Sequence, residues 1–142
     1  MDRERILTKL DELNNYLKEI KEDYPNNYQE YLENKRKYER LLHLSIEVVI
    51  DVSSLILKGR GSGVPADEDG IFDQLIQDKV FDREFGETLK EMKAFRNILV
   101  YRYGEINDKK TYNQLNNLED FKEFKKQVLS YLETKEKQNE KV

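Results

Sequence analysis

The chain has 142 residues, of which 37% are hydrophobic and 38% charged, and its net charge is −4. Without cysteine it has no disulfide framework, thiol nucleophile or Cys-ligated metal. With His43 as its only histidine it has no His-rich cage, and no Ser/His/Asp triad unless built on that residue. The acidic balance disfavours a protein that coats nucleic acid over a wide surface, but leaves room for a local basic patch.

The first helix is marked by Ile6, Leu10, Leu13, Leu17 and Ile20, recurring at i+3 and i+4, with Asp2 as its N-cap. It should end near Tyr24-Pro25, because the residue before a proline avoids the α region. Residues 28–39 carry Tyr28, Tyr31, Leu32 and Tyr38 on a rough stripe and read as a helical lead-in. A helix over about 40–58 follows, in which eleven of residues 41–57 are Leu, Ile or Val. Apolar groups occupy most of its circumference, so it should be buried on two sides, either centrally or at a subunit contact. Glu47 and Asp51 interrupt it, which argues against a membrane span. The N-terminus has no apolar run of signal-peptide type, so a cytoplasmic address is expected.

The segment KGRGSGVP (58–65) is a helix breaker. It lacks the Gly-Lys-Ser/Thr ending of a phosphate-binding P-loop, and reads as a plain loop, with a phosphate contact through Arg60 as the alternative. A loop and short helix occupy 66–82. Asp82 can cap a further helix over about 83–103, with Phe85, Leu89, Met92, Phe95 and Leu99 on its apolar face and Gly104 at its end. Asp108 can cap the last helix. Its stripe of Leu115, Leu118, Phe121, Phe124, Val128 and Leu132 is broken into two registers near Asn116-Asn117. The pattern predicts one all-α domain over 1–136, a bundle of four or five helices, with residues 137–142 as a frayed tail.

Chemistry concentrates in FRNILVYRY (95–103). Arg96 and Tyr103 are seven residues apart and share a helix face, and Asn97 and Tyr101, four apart, form an adjacent pair. With Lys90, Lys93, Arg96 and Arg102, this is a locally basic helix in an acidic protein. A guanidinium beside phenols and an amide suits recognition of a phosphodiester, with Asn97 and Arg102 as binding residues. The plainer reading is an arginine paired to an acid on a neighbouring helix. Glu47 and Asp51 share one face of the apolar helix and would be either that arginine's supporting acids or a solvent-facing strip.

The run from Arg96 to Ile106 resembles the signature of the HepT-like branch of the HEPN superfamily: Arg, often followed by Asn, then after a short spacer His, any residue and Tyr. The similarity extends through YERLLHLSIEVVIDVSSLIL (38–57) and residues 71–97 in helix order. The resemblance implies a dimeric five-helix bundle in which two motifs meet in a cleft. It implies a metal-independent RNase, without cofactor, acting as the toxin of a toxin–antitoxin pair whose antitoxin is a small nucleotidyltransferase. Carried over by position, Arg96 would bind phosphate and Tyr103 would be the motif tyrosine and the acceptor of AMP. The family histidine is Tyr101 here. An imidazole titrates near neutrality and a phenol near 10, so Tyr101 is a poor base at pH 7, and loss of acid–base help would weaken cleavage by about 10²–10⁴-fold. Arg96, Tyr101 and Tyr103 are thus the expected catalytic set, turned toward an open groove shared by two subunits. His43, on another helix at a non-motif position, is not expected to substitute for the family histidine and reads as a core or surface residue. The alternative is a non-catalytic dimer that binds nucleotide, RNA or a partner protein.

Overall fold

The structure, a computed structural model, describes residues 2–101 and 106–140, with the last two as backbone only. Those residues carry α-helices and no strand. The helices are α1 (Arg3–Glu22), α2 (Tyr28–Glu33), α3 (Lys35–Gly59), α4 (Glu68–Gln77), α5 (Arg83–Tyr101), α6 (Asp108–Gln114) and α7 (Leu118–Glu140). Five of them, α1, α3, α4, α5 and α7, make the expected bundle, and α2 and α6 are short additions.

Local sequence sets most of the boundaries. Asp2 caps α1 by accepting from the Arg5 N–H at 3.4 Å, and Asp82 caps α5 by accepting from the Phe85 N–H at 2.8 Å. Asn107, rather than the expected Asp108, caps α6, accepting from the Lys110 N–H at 3.1 Å. Asp108 instead pairs with Lys35 at 3.2 Å, joining α6 to the start of α3. The lead-in expected over 28–39 divides at Asn34: α2 ends there and α3 begins at Lys35, earlier than the apolar run predicts. The register break near Asn116-Asn117 is a 3-10 turn, Leu115–Asn117. Tyr24 donates its hydroxyl to the Leu115 carbonyl at 3.2 Å and to Asn116 Oδ1 at 3.0 Å, tying the end of α1 to that turn. Helix α7 continues through Glu140, into the stretch expected to fray.

Helix α3 is the axis of the domain. It packs mainly against α1, α5 and α4, and also touches α2 and α7. Its consecutive residues Val48, Val49 and Ile50 are all buried, as are Leu41, Leu42, Ile46, Val52, Ile56 and Leu57. Three successive helical residues point about 100° apart, so burial of all three requires neighbours on several sides. Each fully buried Leu or Ile contributes roughly 1.5–3 kcal/mol, which makes this run the chief source of stability. The choice between a central position and a subunit contact is therefore met inside one chain. Among the described residues the large apolar side chains left exposed are Tyr24, Val64, Tyr101 and Leu129. The apolar run of α3 is thus largely covered within the bundle itself.

Helices α4 and α5 approach closely. A Cβ built on Gly86 of α5 would collide with the Ile76 side chain of α4. The missing side chain lets the two axes draw together and fixes which residues of α4 face the polar side of α5. Beyond α4, the Gly-rich loop is held by Arg60, whose Nε donates to Asp78 at 3.0 Å and whose Nη1 donates to the Tyr131 hydroxyl at 3.0 Å. This engagement gives Arg60 a structural role and disfavours the phosphate contact.

Candidate functional site

The polar face of α5 meets α4 in an ordered series of ion pairs. Lys90 pairs with Asp73 at 2.8 Å, Lys93 with Asp69 at 2.9 Å, and Arg96 with Glu68. The cations advance three residues at a time along α5 while the acids run backward along α4, as antiparallel helices require. The locally basic helix is therefore neutralised: three of its four cations face acids, and the fourth, Arg102, lies outside the described residues, as does Tyr103.

Arg96 is the centre of this arrangement. It is only 6% exposed. Its Nη1 bonds to Glu47 on α3, its Nη2 bonds to Glu68 at the start of α4, and its Nε donates to Asn97 Oδ1 at 2.9 Å. Burial works against the charged guanidinium, but the bonds and charges of Glu47 and Glu68 outweigh it and hold its pKa above the ordinary arginine range. A buried cation is stable only when paired and hydrogen-bonded, and here two carboxylates supply that. The expectation of an arginine turned to an open groove is corrected: in the single subunit the guanidinium is enclosed. One cation between two carboxylates also leaves the cluster net negative, which opposes rather than attracts phosphate.

The supporting acids divide. Glu47 holds Arg96 as expected. Asp51 does not; one helical turn further along α3 it accepts from Lys9 of α1 at 3.2 Å. Its role is to join α1 to α3. Asn97, expected to bind ligand, is occupied with Arg96. Tyr101 is 75% exposed at the end of α5, and no hydrogen bond joins it to Asn97 among the described residues. A solvent-facing phenol at this point is open to a ligand or a second chain.

Two residues of the cluster were not assigned to it from sequence. Glu68 was hidden because the register of α4 against α5 is a tertiary property, although the matched spacing of 68, 69 and 73 with 96, 93 and 90 carries its trace. His43 precedes Glu47 by one turn of α3, and its Nε2 lies 3.4 Å from Glu47 Oε1, the oxygen that Arg96 Nη1 also engages. An i, i+4 His–Glu pair is legible in sequence; its attachment to Arg96 is not.

The all-helical bundle with Arg96 on α5 agrees with the HepT-like class that the sequence resembles. The chain belongs to the ribonuclease HepT-like family, whose profile matches residues 6–128. It is 31% identical to YutE of Bacillus subtilis over 97 residues, covering 68% of this chain and 67% of that protein. It is 27% identical to the tRNA nuclease HepT of Aphanizomenon flos-aquae over 139 residues, 95% of each chain. The solved structure of YutE, described as a cytosolic protein of unknown function, superposes with a TM-score of 0.83 at 27% identity, over 95% of this chain and 93% of that one. The tri-AMPylated HEPN toxin of Shewanella oneidensis, solved in complex with an MNT antitoxin, shares the fold with a TM-score of 0.80 at 23% identity, over 88% and 96% of the two chains. Among the described residues no helix is long and apolar enough to cross a membrane.

Proposed function

We propose that this protein is a toxin-type, metal-independent endoribonuclease that acts in the cytoplasm as a homodimer and is silenced by a small nucleotidyltransferase antitoxin. The observation that carries the reading is the family match over residues 6–128, which includes Arg96 at the motif position. The nuclease name of the Aphanizomenon relative and the toxin–antitoxin assembly of the Shewanella protein support it.

In this reading RNA binding opens the Arg96 cluster. Glu68 is the partner to be displaced, because its side chain is 39% exposed and belongs to the first turn of α4, whereas Glu47 is anchored on the central helix. A phosphodiester oxygen then takes its place on the guanidinium, which stabilises charge developing at phosphorus. Tyr101, in place of the family histidine, makes the enzyme slow. Tyr103 is the acceptor for AMP, and its modification places a bulky anion beside the motif and blocks RNA. The direct test is incubation of the purified protein with single-stranded RNA in the presence of a chelator. Cleavage leaving 5′-hydroxyl ends is expected; intact RNA at high enzyme concentration would refute the proposal.

A second reading is favoured by the closure of Arg96 between two carboxylates. In it the protein is a non-catalytic dimer that binds nucleotide, RNA or a partner protein through the same face. Binding of RNA without cleavage, unchanged when histidine is placed at position 101, would select it.

A further inference from the structure

We propose that His43 is the general base of RNA cleavage, replacing from helix α3 the imidazole that the motif lacks at Tyr101. The inference rests on the endoribonuclease reading and deepens it. Transphosphorylation without a metal needs a group that removes the 2′-hydroxyl proton, and imidazole suits this because it titrates near neutrality. The chain contains one imidazole. The fold places it beside the motif arginine: His43 Nε2 and Arg96 Nη1 converge on the same oxygen of Glu47.

The arrangement has the parts of a positioned base. The carboxylate of Glu47 lies 3.4 Å from Nε2, the place from which a third group orients the base in nucleophile–base–acid systems. Helix α3, buried on several sides, holds both residues on one rigid element. The His43 side chain is 35% exposed, so part of the ring is open to a ligand. Among the described residues Nδ1 has no partner. The guanidinium that would carry the phosphate and the ring that would take the proton are thus joined through a single carboxylate. The 3.4 Å separation at Nε2 is longer than a good hydrogen bond, and catalytic bonds of this kind commonly tighten only when substrate binds.

With the ring proton on Nε2, His43 Nδ1 takes the proton of the ribose 2′-hydroxyl. The 2′-oxygen forms a bond to phosphorus, and the bond from phosphorus to the 5′-oxygen breaks with its electron pair going to that oxygen. The departing oxygen takes a proton from water, and the hydroxide left behind takes the proton from the imidazolium. The products are a 2′,3′-cyclic phosphate and a 5′-hydroxyl, with His43 restored.

The test compares wild type, His43→Gln and His43→Ala in chelator-containing buffer with a single-stranded oligoribonucleotide, the last variant with and without added imidazole. The expected result is cleavage by wild type, a loss of about 10²–10⁴-fold in both variants with unchanged helix content and melting temperature, and partial recovery of His43→Ala with imidazole. Wild-type rates in His43→Gln would overturn the role of His43 while leaving the endoribonuclease reading intact. Loss of activity that imidazole does not restore, or that follows a lowered melting temperature, would assign His43 a structural part and overturn the proposal. No cleavage by wild type would overturn the endoribonuclease reading and this inference together.

Discussion

Glu68, the first residue of α4, closes over Arg96 of α5. This contact decides how the motif arginine behaves. With Glu47 on its other side, the guanidinium is satisfied before any ligand arrives, so its role in binding phosphate depends on releasing one acid. Glu68 is the more exposed of the two.

Replacing that acid should therefore favour RNA. In Glu68→Gln the cluster changes from net negative to neutral, and an amide competes less well than a carboxylate for Arg96. RNA affinity should rise on the order of tenfold, equivalent to about 1.4 kcal/mol. Because Glu68 is partly exposed, the stability cost should remain within about 1 kcal/mol. Fluorescence anisotropy with labelled RNA would measure the first and urea denaturation the second. Unchanged or weaker RNA binding would exclude Glu68 as the gate.

Arg96→Ala should destabilise the fold as well as abolish cleavage. Removing one partner of a fully buried ion pair costs about 3–5 kcal/mol. Here the carboxylates left behind are a third or more exposed and can hydrate, so a loss of roughly 2–3 kcal/mol is expected. A shift in the urea midpoint with an unchanged slope would show it. A stability equal to wild type would mean that the Glu47–Arg96–Glu68 cluster contributes nothing net to the fold.

Asp120 provides a pH-dependent prediction remote from the motif. It lines a small cavity of about 20 Å³ with Met92, Phe95 and Phe121. Burial, with the charge of Glu91 added, pushes its pKa above the usual carboxylate value. An acid raised in the folded state disfavours folding once it ionises. The penalty is absent below the ordinary carboxylate range, grows as pH rises through the unfolded and then the folded pKa, and is complete above both. Asp120→Asn should therefore raise the melting temperature at neutral pH and have little effect near pH 3, below the ordinary aspartate pKa of about 3.9. A gain that is independent of pH would place its cause elsewhere.

Much of the fold was legible because its signals are local. The spacing from Ile6 to Ile20 specifies α1, the aspartates at 2 and 82 fix two helix starts, and the apolar run of α3 announces a helix buried on several sides. What was misread depends on tertiary partners. The apolar circumference of α3 left a central position and a subunit contact both open, and α1, α4, α5 and α7 supply the central one. Asp108 was a sound cap by residue type, but Asn107 took that place and Asp108 turned to Lys35. At the site, helix periodicity offers Glu47 and Asp51 alike as candidate partners of Arg96, and Glu47 is the one that reaches it. Asp51 has the same periodicity, but Lys9 claims it. Glu68 could not be paired with Arg96 without the register of α4 on α5, and that register depends on the close approach at Gly86.

The central claim is that the face around Arg96 cleaves RNA, slowly because position 101 holds a phenol. The most direct measurement is the single-turnover rate of RNA cleavage in metal-free buffer for wild type and for Tyr101→His. Detectable cleavage by wild type and a clear acceleration in Tyr101→His, up to about 10²-fold where the added imidazole protonates the departing 5′-oxygen in place of water, are predicted. Intact RNA with both proteins would contradict the account.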